Sequence, residues 1–163
     1  MTTFYKSNKE RSTLLKQLKK RLSVKKSWTH GDLVNEHFDE GTGKQSFKFC
    51  FVGHLSAVLN PHLEFVPGEP MPTLEFPKNY NGGKDLVHRL AQSAWDLYGD
   101  KFLKDYNAYT ERKLPAGTSF KDFMAVSFLD EEMILYRIND EIGGYQKVKK
   151  IVNHAVAKME PKS

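Results

Sequence analysis

The stretch from Phe47 to Asn60 reads FKFCFVGHLSAVLN, and its apolar residues follow one another too closely for a helix on the surface. We therefore predict a buried helix over residues 47–59. Asn60-Pro61 ends it, because a residue that precedes proline is pushed out of the helical backbone region. The stretch also contains the single cysteine of the chain, Cys50, and His54 four residues later, a spacing that places both side chains on one helix face.

Several amphipathic segments surround this stretch and predict further helices. The first begins at a cap, Ser7 or Ser12, and carries a leucine stripe on a basic cylinder. Another has Gly99 as its stop, and Ser119 caps a short one. The expected bounds are 7–22 or 12–22, 84–98, 102–109, 120–128 and 145–158.

The β content is expected to be small. MILYRI, residues 133–138, is rich in β-branched and aromatic residues and predicts a strand. A short segment at 32–38 leads into a glycine-containing turn at 39–43. Five of the seven prolines lie between residues 61 and 77, which predicts an extended connector over residues 60–83. We expect an α+β fold that is mainly α, a helical domain with one small β element of one to three short strands.

Composition limits the class of protein. The chain has 163 residues, of which 39% are hydrophobic and 28% charged, so it can bury a core and is expected to form one domain over 1–163. No apolar run reaches the length of a membrane span, and no apolar stretch follows the charged N-terminus as in a secretory signal. A single cysteine forms no internal disulfide, which suits the cytoplasm, the expected location.

The net charge of +5 is unevenly distributed. Residues 1–26, the basic N-terminal helical segment, contain nine Lys or Arg and one acidic residue, whereas the rest of the chain is slightly acidic. Such a segment can meet phosphate or an acidic protein surface. The alternative is a solvated helix face that keeps the protein soluble.

Three short motifs resemble a family of small bacterial and phage proteins that is known as a domain of unknown function. The family pattern is W-x-x-G, then C-x-x-G-A at a helix start, then Asn-Asp before the last helix; its positions here are Trp28, Gly31, Cys50, Gly53, Asn139 and Asp140. The resemblance implies an intracellular accessory protein of bacteria or their phages and no established activity. His54 stands where the family has a small residue, which argues against a family-wide catalytic histidine.

Cys50 is the candidate nucleophile. A cysteine at a helix N-terminus beside a histidine has its thiolate stabilised, and papain-like enzymes add an Asn or Asp that orients the histidine. His54, His88, Asn139 and Asp140 are the candidate partners. The structural alternative is favoured, because Phe residues flank the sulfur and burial raises the pKa of a thiol.

The other motif residues have architectural interpretations. Asn139-Asp140 is expected to form an Asx turn or a helix cap, and Trp28 is expected to pack against the Cys50 helix. Only Cys50 and His54 have local metal-ligand spacing, so no metal and no cofactor is predicted.

Two interaction hypotheses remain. In the first, which we rank higher, the protein is a non-enzymatic accessory factor that binds and modulates a host or phage protein. In the second, the basic helix binds nucleic acid in a salt-sensitive way, with Trp28 stacking on a base. Both use the same cations: Lys16, Lys19, Lys20, Arg21, Lys25 and Lys26.

Overall fold

A computed structural model describes residues 8–142 and 144–159. The described chain is mainly α-helical, with a single two-stranded antiparallel sheet. In chain order the elements are α1 (Asn8–Leu22), β1 (Val34–Asp39), β2 (Lys44–Phe49), α2 (Phe51–Leu59), α3 (Gly83–Tyr109), α4 (Phe120–Ser127), α5 (Glu131–Arg137) and α6 (Gly144–Met159). Short 3-10 turns lie at Lys25–Ser27 and Pro77–Asn79, and a π-helical turn at Ile138–Ile142 joins α5 to α6.

The leucine stripe of α1 anchors the basic helix to the body. Leu15, Leu18 and Leu22 are fully buried, and α1 packs on α2 and α6. The predicted helix is thus confirmed, although Ser12 lies inside it and the alternative cap, Ser7, lies outside the described residues. Because its leucines face the core, α1 presents most of its lysines to solvent.

The predicted helix at 47–59 begins later than expected. Residues 44–49 form β2, which pairs with β1 in the register Val34↔Phe49 to Asp39↔Lys44, and α2 starts only at Phe51. Phe47 and Phe49 alternate with Lys48, the period of a strand, and both rings contact Phe65 of the connector. The end of the helix before Pro61 is as predicted.

The proline-rich connector, residues 60–83, has no strand and only one 3-10 turn before α3 begins at Gly83. Hydrogen bonds hold it to the rest of the fold at two points. Gly68 N–H donates to the Gln45 side chain on β2, and Lys78 N–H donates to buried Glu132 of α5 at 3.0 Å. Leu74 joins Val34 and Phe49 in a small second apolar cluster. The connector therefore covers one side of the hairpin.

The helix α3 joins two segments that the sequence analysis separated. Gly99 does not stop it; the backbone bends at Tyr98, where φ is −133° and ψ is 17°, and continues to Tyr109. A Cβ on Gly99 would lie 3.0 Å from the Trp95 ring, so glycine at this position permits close packing inside the helix. The predicted boundary near residue 98 is therefore present as a kink at Tyr98, but Gly99 does not end the helix.

The strand predicted at residues 133–138 is also wrong, because these residues form α5 and the start of the π-helical turn. Asp130 caps the helix by accepting from Met133 N–H at 2.8 Å, and two glutamates occupy the first turn. Ile134, Leu135 and Ile138 are buried at helical spacing. Burial of that stripe and the cap outweigh the β-propensity of the residues.

The last predicted helices are confirmed. Ser119 caps α4 by accepting from Asp122 N–H at 3.1 Å, and α6 carries a buried stripe against α1 and α3. Among the described helices, none combines the length and the apolarity that crossing a bilayer requires.

Candidate functional site

Asn139 is the centre of a buried hydrogen-bond hub. Its side chain is 0% exposed, and Oδ1 accepts from Trp28 Nε1 at 3.0 Å and from Phe51 N–H at 2.9 Å. The latter is a free amide at the N-terminus of α2, so Asn139 caps a helix distant from it in sequence. The expected cap is present, but it serves α2 rather than α6.

The remaining motif residues surround this hub. Asp140 Oδ1 accepts from Gly31 N–H at 3.1 Å and from the Asn139 amide at 2.6 Å. Cys50 N–H donates to the Leu33 carbonyl at 3.2 Å, and a Cβ on Gly53 would lie 1.7 Å from the same carbonyl oxygen. The three motifs therefore hold the 28–33 loop, the start of α2 and the π-helical turn together.

Cys50 is packing material at the start of α2. It is 0% exposed, and its Sγ accepts from Gly53 N–H at 3.3 Å as the N-cap of the helix. Burial raises the pKa of this thiol to about 11, against a smaller opposing effect of the hydrogen bond from Gly53. A thiol with that pKa is protonated near neutral pH and is a poor nucleophile.

His54 is buried on the next turn of α2 and is held neutral. Its exposure is 1%, and Nδ1 accepts from Arg21 Nε at 3.2 Å. Burial and, to a lesser degree, the positive charge of Arg21 lower its pKa to about 3, and a contact with the Ser27 backbone opposes the shift. His54 Nε2 is itself buried and makes no hydrogen bond of ordinary geometry with a described residue.

The arrangement of a cysteine hydrolase is not brought together by these residues. His88, on α3, is largely exposed, and its Nδ1 lies 2.6 Å from Glu131 Oε1. Asn139 orients Trp28 and α2 rather than an imidazole, and Asp140 lies 3.8 Å from the exposed His30. In the described residues we find no group of three or more His, Cys, Asp or Glu placed to hold a metal ion.

The predicted cations divide into two groups. Five of them are exposed and line the outer face of α1 and the turn after it: Lys16, Lys19, Lys20, Lys25 and Lys26. All of these except Lys16 have no ion pair with any described residue. The second group is Arg21 alone, which is half-buried and turned toward α2. Trp28 is in neither place; its half-buried ring packs on His30 and Tyr145, which argues against the predicted stacking role.

A groove runs along α1 between this helix and the connector. Its inner cavity, of about 520 Å³, lies against β2 and is lined by Arg21, Phe47, Phe49, His54 and Phe65 among others. Its outer cavity, also about 520 Å³, continues between α1 and α2 and is lined by Gln17, Lys20, Arg21 and Ala57 among others. The two cavities share Arg21, Leu63 and Phe65, and we call them together the α1 groove. Among the residues that the structure describes, none of those lining either cavity is acidic.

Arg21 lies where the two cavities meet. Its guanidinium carbon is 4.7 Å from the centre of the Phe49 ring, a cation–π contact. Burial lowers the pKa of Arg21, yet an arginine remains charged in proteins. In the part of the chain that the structure describes, no carboxylate pairs with it. The groove therefore combines a desolvated cation with aromatic walls.

The sequence indicates the parts of this groove only separately. Arg21 and His54 were singled out, but as members of a lysine face and of a cysteine pair; their contact across 33 residues gives no local signal. Phe47, Phe49 and Phe65 were missed as a binding surface. The alternation of Phe47 and Phe49 around Lys48 was the one sequence signal that indicates two rings on one face of a strand. In comparisons with known protein families, curated proteins and solved structures, the chain had no match.

Proposed function

We propose that this chain is a non-enzymatic protein that binds an acidic, partly apolar segment of a partner protein in the α1 groove and on the lysines beside it. The resemblance of the W-x-x-G, C-x-x-G and Asn-Asp motifs to small bacterial and phage proteins supports a host or phage protein as that partner, met in the cytoplasm.

One observation carries the proposal: within residues 8–142 and 144–159, exposed cations without ion pairs border an apolar groove that has no acidic lining. Lys19, Lys20, Lys25 and Lys26 are exposed, and Arg21 enters the groove itself. A surface of one charge sign speeds encounter with an opposite one, and an apolar groove gives the complex a desolvated centre. A segment with carboxylates at intervals and an apolar side chain between them complements both features.

A protein partner is favoured over a nucleic acid by the aromatic residues. Base stacking needs exposed ring faces, but next to the basic helix the Trp28 ring is half-buried by its own contacts and Phe49 is buried under Arg21. The rings of Phe47 and Phe65 pack edge-to-face, with their centres 5.6 Å apart. Such walls fit an inserted side chain better than a stack of bases.

The experiment is selection of peptides from a random library on the full chain, followed by fluorescence anisotropy with the best binder. We expect the selected peptides to combine Asp or Glu with an aromatic or branched apolar residue. In Lys19→Glu/Lys20→Glu, binding at about 150 mM salt should weaken at least about 10-fold, since each reversal removes an attraction of up to about 1 kcal/mol and adds a repulsion.

The matched control is Lys104→Glu/Lys121→Glu, which reverses two exposed lysines of α3 and α4. This variant should bind the selected peptide with an affinity within about 2-fold of the wild type. Equal weakening by both double variants would contradict the proposal, because affinity would then follow net charge. Selected peptides without acidic residues would contradict it too. Tighter binding of mixed-sequence DNA than of any peptide at the same salt would favour the nucleic-acid alternative.

A further inference from the structure

The hydrogen-bond geometry at the inner cavity fixes the protonation state of His54. A guanidinium carries donors only, so Arg21 Nε–H donates and His54 Nδ1 must accept. The ring is therefore neutral, with its proton on Nε2. That N–H is buried and makes no hydrogen bond of ordinary geometry with a described residue, although the Ser27 backbone acts on the ring as an acceptor.

Arg21 leaves further donors without an acceptor at the same place. Its Nε is used by His54, and its terminal Nη groups have no carboxylate partner within residues 8–142 and 144–159. A partly desolvated cation is normally paired with an anion. The donors that a ligand in the inner cavity can reach are those of Arg21, because His54 Nε2 is closed off from solvent.

We propose that the inner cavity is a binding site for an aromatic or branched apolar carboxylate, with Arg21, oriented by His54, holding the carboxylate and Phe47, Phe49 and Phe65 holding the apolar group. The two oxygens of a carboxylate match the planar donor fork of arginine. The cavity supplies one full positive charge, since His54 is neutral, which suits a singly charged group better than a phosphate dianion.

The size and walls of the cavity fit the apolar part of such a ligand. Its volume of about 520 Å³ lies within the range of small-molecule pockets, about 300–1,000 Å³. The Phe49 and Phe65 rings are perpendicular, with centres 4.9 Å apart, so they form two walls of a corner. The opening toward the outer cavity, past Leu63, leaves room for a chain attached to the ligand.

The carboxylate has three possible sources: an Asp or Glu side chain of the bound segment, the C-terminus of the partner, or a free metabolite. The first two lie within the proposed function, on which this inference then rests. The common chemistry can be tested without knowledge of the source, with 3-phenylpropanoate as the probe and the uncharged 3-phenylpropanamide as its matched control.

The experiment is titration of the full chain with each probe, followed by the imidazole ¹⁵N signals in NMR. We expect the free protein to show His54 with an unprotonated Nδ1 and a protonated Nε2. The acid should move the Nδ1 signal, which reports the hydrogen bond from Arg21, and bind at least about 10-fold more tightly than the amide, the value of one charge-assisted contact. The comparison of acid and amide uses the wild-type chain, so it does not depend on a variant that folds.

Arg21→Gln should remove the preference for the acid. The matched control is Arg137→Gln, which alters a half-buried arginine paired with Glu141 and should keep that preference. Equal binding of acid and amide, or no binding of either up to about 10 mM, overturns the carboxylate site. If a library-selected acidic peptide still binds in that case, the proposed function stands without it.

Competition identifies the source. Displacement of the probe by a selected peptide with an amidated C-terminus supports a side-chain carboxylate, and displacement only by the free-acid form supports a C-terminal one. If the probe binds and no peptide does, the site stands with a small-molecule ligand and the proposed function fails.

Discussion

Replacing Asn139 with alanine removes one oxygen that accepts two buried hydrogen bonds, from Trp28 Nε1 at 3.0 Å and from Phe51 N–H at 2.9 Å. Both donors would then lie in a site that is 0% exposed at its centre. A buried donor without an acceptor costs about 1–3 kcal/mol, and the lost side chain also leaves a small cavity. We expect the free energy of unfolding to fall by about 3–5 kcal/mol, a large share of the stability of an ordinary domain.

Urea denaturation followed by circular dichroism measures this change, with the slope of the transition as a check that the folded state is intact. Asn153→Ala is the matched control, because Asn153 is exposed on α6 and its loss should change stability by no more than about 0.5 kcal/mol. A loss below about 1 kcal/mol in Asn139→Ala would show that water or a small shift satisfies both donors, and that the hub does not hold the fold together.

Three further predictions concern α2. The unfolded chain protonates His54 near its ordinary pKa of 6.5, and the folded chain does so only near 3. The free energy of unfolding of the wild type, relative to that of His54→Gln, should therefore fall by about 1.4 kcal/mol per pH unit as the pH falls from about 6 to about 4. Paired denaturation curves measure this difference, and a difference that does not change with pH would refute the burial argument. Cys50, with a pKa of about 11, should react with a thiol reagent near pH 8 at least about 100-fold more slowly in the native chain than in denaturant, and fast native labelling would contradict its packing role. Gly53→Ala should lower the free energy of unfolding by at least about 3 kcal/mol, because the new Cβ would lie 1.7 Å from the Leu33 carbonyl oxygen. Gly41→Ala, in the exposed hairpin turn, is the control and should be nearly neutral. A stabilised Gly53→Ala would show that the loop moves away freely.

The helices that sequence reasoning found are those defined by local signals. The stripe of α1, the cap of α4 at Ser119 and the stripe of α6 each lie within one element, so periodicity and capping residues were sufficient. The class, mainly α with one small sheet, followed from them. The stop before Pro61 was equally local, since proline restricts the residue before it.

The errors arose where two local signals compete. Residues 133–138 have β-branched and aromatic side chains, but the Asp130 cap and the buried stripe at Ile134, Leu135 and Ile138 decide for a helix. At residues 47–49 the apolar continuity of the following helix concealed a strand, which is stabilised by pairing with β1 and by the Phe65 ring. Pairing across a hairpin and packing of a connector are tertiary effects that a window of sequence does not contain.

The site was less predictable than the fold, because its contacts join distant residues. Asn139 meets Phe51 across 88 residues, and Arg21 meets His54 across 33. Each residue could be selected from the sequence by type, but its partner could not. The interpretation of Cys50 as packing material rested on its flanking phenylalanines, and these are the residues that bury it.

Two sets of polar groups lie on either side of the start of α2. The set around Asn139 holds the fold together, and the set around Arg21 and His54 is the proposed ligand site. Around Asn139 every donor has its acceptor, so a change there can only remove stability. At Arg21 the terminal donors have no carboxylate partner in the described chain, so a ligand carboxylate adds a charge-assisted contact that folding alone leaves unmade. A carboxylate probe at about ten times its Kd should therefore stabilise the folded chain by about 1.4 kcal/mol, and this gain should vanish in Arg21→Gln but persist in any Cys50 variant that folds. If the probe no longer stabilised the Cys50 variant but still stabilised Arg21→Gln, the ligand would bind at the Asn139 hub and not in the α1 groove.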